Sequence, residues 1–550
     1  MSKNTVKNSS RTLTKVLITL LIIIYILLFG LVASNERWSD GDEVSYLLFA
    51  SSIVKDMDLV ITNNYENKDY FDHHSHKESP HSSEGRNGEL RPLHGILTPM
   101  LVSPGYWLSL KAKEILGFKS NRAFLFFPRL NMLTLHIIFS ILLIFFLNSL
   151  GFSKNISILT VILYLIQLPI VIYSQAIYSD LLQGYFIMTG FLCILLFSKT
   201  FKYIWLVIGS IFFGSSIFLH SKLIILTTFA IFSSILYCHF NLEKHPLFKT
   251  RNWFKSRLHQ KMSISLILPW LILLISNVLT KLYWFGKFNF DGVNPDKMYV
   301  VISIIKNPFN YINTSNFSLK TLIIFIIVIL TVLAISLLIF FKKRKFFFTY
   351  LLLLLFIILA SLSYPFHSWL GLWLDSEVGL LYNAPLFVII FLGLFVWFKK
   401  QKYSFLLIIP PIIAYLLIKS RVSWYPGFAP PTRYLLVALP ALLPTISWVL
   451  WASIKIKGLR WIIGILTSIS LILSALVPFV GRMGLPYGKG YNIYWQTILK
   501  FLKLENLEKI FFLNFLNPKP YYYIVGYIIF TIIFISSYFL QKRISKINII

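Results

Sequence analysis

Apolar residues run along this chain in long unbroken stretches, separated by short polar and often basic segments. Runs such as Val16 to Ala33, Thr321 to Phe341 and Tyr522 to Leu540 match the roughly 20 residues a helix needs to cross a hydrocarbon layer. Taken in order, the pattern predicts helices at roughly 16–34, 123–149, 156–175, 181–198, 203–219, 221–238, 263–282, 321–341, 346–363, 380–397, 404–418, 434–452, 461–479 and 522–540. That makes about 12–14 spans, depending on how the short pair at 203–238 divides. The largest interruption, residues 35–122, is too short and irregular for a typical independent domain. The chain therefore reads as one polytopic membrane domain, 1–550, with an elaborate first loop and no separate soluble domain.

Within that loop, EVSYLLFASSIVKDM (43–57) places Tyr46, Phe49, Ala50, Ile53 and Met57 at helical spacing. It predicts an amphipathic helix lying in the membrane interface, with Asp42 at its start. LTPMLVSPGYWLSLKAKEIL (97–116) holds Pro99, Pro104 and Gly105, which predicts a broken surface helix instead of a span. Two further loops, about 283–320 and 480–521, are rich in Tyr, Trp, Phe and Asn, as expected beside a membrane surface.

Composition agrees with a membrane solvent: 57% of residues are hydrophobic, 17% aromatic and 13% charged, and the mean hydropathy is +0.72. The first run is too long and too plainly flanked for a cleaved signal peptide, so a permanent helix is expected. The formal charge of +31 does not point to nucleic acid, because the basic clusters fall between spans. With Lys3, Lys7, Arg11 and Lys15 in the cytoplasm, alternation brings 249–261, KKRK (342–345), KKQK (399–402), 455–460 and 541–546 to the same side. Of the 21 acidic residues, only Glu243 then falls on that side. Cys193 and Cys238 lie inside apolar runs, so neither a disulfide framework nor a thiolate metal site is expected. No internal repeat and no Gly-rich phosphate loop is visible, which argues against a nucleotide-driven pump or a soluble-type nucleotide-sugar enzyme.

The candidate chemistry is acidic and lies opposite the basic face. RWSDGDEVSY (37–46) carries Asp40, Asp42 and Glu43 just after the first span, and Asp180 falls at the outward end of the fourth. Helix capping could explain Asp42 or Asp180 singly. Ionisable groups this near hydrocarbon are costly unless paired or used, and both land on the face that the basic loops assign as outward. Arg433 in PPTRY is the first candidate cation for a phosphate, because its guanidinium fork suits one. Lys222 and His220 in FLHSKL are next, snorkelling being the alternative for Lys222. The run 70–86, with His73, His74, His76 and His81, lacks defined zinc-ligand spacing and is expected to be a solvated loop. His94 stands apart from it.

These residues sit in segments reading GDEVSY (41–46), LHGILTP (93–99), YSQAIYSD (173–180), DSEVGLLYNAP (375–385) and PPTRYLLVALP (430–440). Together they resemble a bacterial branch of the GT-C class of polyprenyl-phosphate-dependent membrane glycosyltransferases, whose familiar members are the protein O-mannosyltransferases and the lipid A aminoarabinose transferase. The resemblance covers roughly residues 35 to 440 and departs from the pattern at the His-rich run and at Ser179 and Asp180.

It implies an all-α, GT-C-like fold and an inverting single displacement on the extracytoplasmic face of a bacterial cytoplasmic membrane. The donor implied is a polyprenyl-phosphate-linked sugar, and the acceptor an envelope lipid, glycan or protein. Asp42 would be the base, Glu43 or Asp180 would orient the acceptor or stabilise the sugar cation, and Arg433, Lys222, His220, His94 and Asp375 would hold substrate or lipid phosphate. No cofactor is demanded, and a divalent cation, used by some of the class, is the one candidate. A lipid-linked glycan transporter or flippase is the rival from another class, though inverted repeats and midplane charges are missing. A glycan polymerase or ligase is the nearer enzymatic rival.

Overall fold

The computed structural model describes residues 3–35, 37–39, 41–75, 82–117, 121–244, 257–286, 367–422, 431–480, 492–505, 513 and 520–545. The expected spans 321–341 and 346–363 lie outside them, as does most of each aromatic loop. The molecule is an all-α, multi-pass membrane protein. Among the described residues, seven helices are long and apolar enough to cross a membrane, and three apolar helices are shorter.

In chain order the helices begin with α1 (Lys3–Ser34), α2 (Asp42–Lys55), α3 (Thr62–Glu66), α4 (Leu97–Leu116), α5 (Asn121–Phe124) and α6 (Phe126–Ser149). Next come α7 (Lys154–Leu165), α8 (Leu168–Tyr173), α9 (Ser179–Thr200), α10 (Ile204–Leu219), α11 (Ile224–Lys244) and α12 (Arg257–Phe285). The later part holds α13 (His367–Leu374), α14 (Leu380–Asn383), α15 (Val388–Lys400), α16 (Lys402–Val422), α17 (Leu439–Ser453), α18 (Lys457–Ala475), α19 (Ile493–Phe501) and α20 (Pro520–Ser545). A two-stranded antiparallel hairpin, β1 (Ser82–Glu84) with β2 (Leu90–Pro92), interrupts the first loop.

Most boundaries follow the apolar runs, and the departures have a common cause. The run 156–175 divides into α7 and α8 because Pro169 starts a new helix, its missing N–H costing nothing in a first turn. The run 380–397 becomes α14, a 3-10 turn beginning at Pro385, and α15. The run 434–452 starts late, as α17, with Pro440 in its first turn. The opposite correction applies to 97–116. Here α4 is one continuous helix, with Pro99 in the first turn and Pro104 tolerated inside.

The first loop also differs from the expected surface layer. Helix α2 is not half exposed, since every residue from Asp42 to Ser52 is buried. Its polar positions are satisfied by protein: Ser51 Oγ donates to Asp69 Oδ2 at 3.1 Å and Ser52 Oγ to Asp58 Oδ1 at 2.6 Å. Val44, Leu48, Phe49, Ile61 and Tyr70 form a small apolar core within the loop. Nor is the start of the His-rich run solvated. His73 and His74 are buried against Ser39, whose hydroxyl donates to the His73 carbonyl at 2.7 Å and whose own carbonyl lies 2.7 Å from His74 Nδ1. Helix α9 runs through the centre, packed by α6, α10, α11 and α17.

Candidate active site

Two helix starts build the site. Gly41 precedes α2 with φ of 55°, a left-handed value that glycine adopts without a Cβ penalty, and lets the chain turn sharply into Asp42. Asp42 is the first residue of α2 and Asp180 the second of α9, and the N-cap positions before them belong to Gly41 and Tyr178. Both side chains turn to a single guanidinium. Arg433 Nε donates to Asp180 Oδ2 at 2.7 Å, and its Nη2 donates to Asp42 Oδ2. Lys222 Nζ takes the other oxygen of Asp180, Oδ1, at 2.6 Å. Asp180 is wholly buried and Asp42 nearly so. Removal from water strengthens each of these charge-assisted bonds and makes breaking one of them expensive.

Three side-chain links hold the two starts in register. Asn35 Nδ2 donates to Gln175 Oε1 at 3.3 Å, the Ile177 backbone N–H donates to Glu43 Oε1 at 2.8 Å, and Tyr46 OH donates to Ser179 Oγ at 3.2 Å. Glu43 is thus a strut, its Oε2 also taking Arg37 Nη2 at 2.6 Å. Behind it, Arg129 of α6, almost fully buried, donates to the Asn35 and Arg37 carbonyls at 3.2 and 2.8 Å.

The third element, a 3-10 turn at Arg433–Leu435, is fixed from its own side. Thr432, with φ of 63°, donates its N–H to the Val378 carbonyl at 2.9 Å. Asp375 Oδ1 in turn accepts from the Glu377 and Val378 backbone N–H groups, both at 2.9 Å. Asp375 therefore acts on the turn that supports Arg433. Close approach of α9 completes the placement, because a Cβ on Gly184 would stand 2.6 Å from the Leu436 carbonyl oxygen. Burial disfavours the Arg433 charge, but Asp180 and then Asp42 more than offset it, holding the group well above the usual arginine range.

His94 and His220 flank the acids. His94 Nε2 is 3.9 Å from Asp42 Oδ1, and the two imidazole rings are 5.8 Å apart. His220 Nδ1 accepts from the Lys222 N–H at 3.3 Å. Among the described residues no group of three or more His, Cys, Asp or Glu side chains could hold a metal ion. The two acids already face Arg433 and Lys222, so this donor set does not suit a divalent cation.

No family model matches the chain, and no curated protein matches it. Three solved chains of the oligosaccharyltransferase from Archaeoglobus fulgidus are similar to it in outline. One, in complex with zinc and sulfate, shares 13% identity at a TM-score of 0.43, over 91% of this chain and 57% of that one. The apo form shares 11% at 0.44, over 92% and 60%, and a complex with an inhibitory peptide and a dolichol-phosphate shares 12% at 0.40, over 92% and 60%. The chain spans about three fifths of their length. Likeness this distant decides neither fold nor activity.

The side chains themselves define what the site can do. Asp42, Asp180, Arg433 and Lys222, from four separate segments, are joined in one network, and His94 and His220 stand at its edge. Sequence reading missed Arg129 and Lys419, whose Nζ lies 3.8 Å from the centroid of the Tyr434 ring beside Arg433. Both were detectable in principle, as ionisable residues within or at the end of an apolar run.

Proposed function

We propose that this protein is a GT-C-type membrane glycosyltransferase that moves a sugar from a polyprenyl-phosphate-linked donor to an acceptor hydroxyl. The reaction runs on the outer face of a bacterial cytoplasmic membrane. One observation carries the reading: Asp42 and Asp180, brought from helix starts far apart in sequence, share the guanidinium of Arg433 at a site that also holds Lys222. A carboxylate beside fixed cations is what transfer from a phosphate leaving group needs.

In the reaction, the acceptor oxygen forms a bond to the anomeric carbon as its proton passes to Asp42. The bond from that carbon to the phosphate oxygen breaks, and its electron pair leaves with the polyprenyl phosphate. A single displacement inverts the anomeric centre through a transition state with oxocarbenium character. Arg433 holds Asp42 through Oδ2 and so orients it, and the acceptor proton passes to Oδ1. Asp180, held by Lys222, keeps a negative charge near the sugar. Glu43 serves as a strut and does not touch substrate.

The test compares envelope glycans and glycolipids from cells carrying wild type, a deletion and Asp42→Asn at matched expression. Loss of a base contributes about 10²–10⁴ in rate, so Asp42→Asn should match the deletion. Full transfer by Asp42→Asn would remove Asp42 as the base. A purified protein that moved intact lipid-linked sugar across a vesicle membrane without forming a new glycosidic bond would favour the transporter reading.

A further inference from the structure

Arg433 and Lys222 are both committed to carboxylates, and a third cation beside them is not. Lys419 lies near the end of α16, and Lys222 Nζ is 5.3 Å from the same Tyr434 ring that Lys419 Nζ approaches to 3.8 Å. Two ammonium groups therefore converge on one aromatic ring. Tyr434 directly follows Arg433, and its carbonyl accepts from Tyr415 OH at 3.3 Å. Tyr415 stands one turn before Lys419, so a single turn of α16 both anchors the backbone at Tyr434 and delivers a cation to its ring. Lys419 has no carboxylate partner among the described residues.

The charge balance follows. Glu43 is matched by Arg37, whereas Asp42 and Asp180 face Arg433, Lys222 and Lys419. One positive charge is left over in a largely buried place, and the face of a tyrosine offsets only part of its desolvation. An anionic ligand would complete it.

Resting on the glycosyltransferase reading, we infer that Lys419 is the residue that recognises the phosphate of the lipid donor and of the departing polyprenyl phosphate, while Arg433 positions the two carboxylates. A lipid phosphodiester brings one negative charge, matching the charge left over around Asp42 and Asp180. As the bond to the sugar breaks, charge on the phosphate grows, so the contact strengthens toward the transition state. A neutral polyprenol gains nothing from it.

The experiment uses the full-length protein in nanodiscs of zwitterionic lipid, as wild type, Lys419→Gln and Lys419→Arg. The probes are undecaprenyl phosphate, undecaprenol and inorganic phosphate, with binding and thermal midpoint both measured. Wild type should prefer the phosphorylated lipid to the alcohol by about tenfold or more, the range of one charged hydrogen bond. Lys419→Gln should lose that preference, Lys419→Arg should keep it, and alcohol binding and thermal midpoint should not move. Undiminished preference in Lys419→Gln overturns the inference alone. So does a Lys419→Gln protein whose midpoint falls in step with its affinity, since that marks a structural lysine. Lys419-dependent binding of inorganic phosphate without preference for the phosphorylated lipid keeps the anion site and overturns the lipid donor. Binding of neither phosphate overturns both.

Discussion

Helices α1 and α9 look alike as apolar runs, and the structure treats them oppositely. Most of Thr12–Ser34 in α1 faces outward from the protein, with Ile22, Ile26, Leu27 and Phe29 each about half exposed or more, whereas α9 is buried from Ser179 through Leu195. Yet the spanning part of α1, Thr12–Ser34, is the more apolar of the two, and α9 carries Asp180, Gln183, Tyr185 and Thr189. In water the greasiest helix would be the core. In a bilayer, lipid is as good a solvent for leucine as another helix is, so polar groups mark the centre.

That contrast can be broken at several depths. Arg433→Ala should have the largest effect, because it removes the guanidinium shared by buried Asp42 and Asp180 and leaves Asp180 only Lys222; breaking a buried pair this way costs about 3–5 kcal/mol. Thermal unfolding in detergent reads it, and a midpoint equal to wild type would mean the acids are not held as described. Gly184→Ala comes next. Its Cβ would press on the Leu436 carbonyl and the Pro440 ring, 3.1 Å away, a crowding worth about 1–3 kcal/mol that also displaces Arg433. The same melts should show it, with phosphorylated-lipid binding weakened in parallel.

A smaller effect separates the first loop from the bundle by pH. Burial, then the charges of His74 and Lys55, push the His73 imidazole down from 6.5 to about 3. The unfolded chain takes up that proton near 6.5 and the folded chain only near 3. The stability held by His73 is therefore full above pH 6.5 and is lost as pH falls below it, at up to about 1.4 kcal/mol per unit. His73→Asn should flatten the fall in melting temperature between pH 7.5 and 5, and an unchanged slope would place the titrating group elsewhere. The smallest effect belongs to the periphery: Ile26→Ala on the exposed face of α1 should shift stability by no more than about 0.5 kcal/mol.

The same contrast explains which features the sequence made legible. Among the described residues, span positions were readable because length and apolarity are local properties, and the breaks at Pro169, Pro385 and Pro440 were readable errors, since proline restarts a helix inside a run. The partners of Asp42 and Asp180 could be named because charged residues at apolar edges are few. Burial of α2 could not be read. Its covering contacts include Ser179 and Ile177, more than a hundred residues on, and nothing in the periodicity of 43–57 reports them. The backbone contacts of Glu43 and Asp375 were illegible for a similar reason, since a bond to backbone leaves no trace in residue type.

The pairing on Arg433 also orders events in time. Asp42 stands 391 residues before Arg433 and Asp180 stands 253 before it, while Lys222 follows Asp180 by only 42. At about 5–20 residues per second of synthesis, Lys222 emerges roughly 2–8 s after Asp180, and Arg433 roughly 20–80 s after Asp42. Asp180 thus gains its first counter-ion early, and Asp42 waits for most of the chain to be made. A ribosome that stalls before Arg433 leaves a bundle with many of its helices and no finished site.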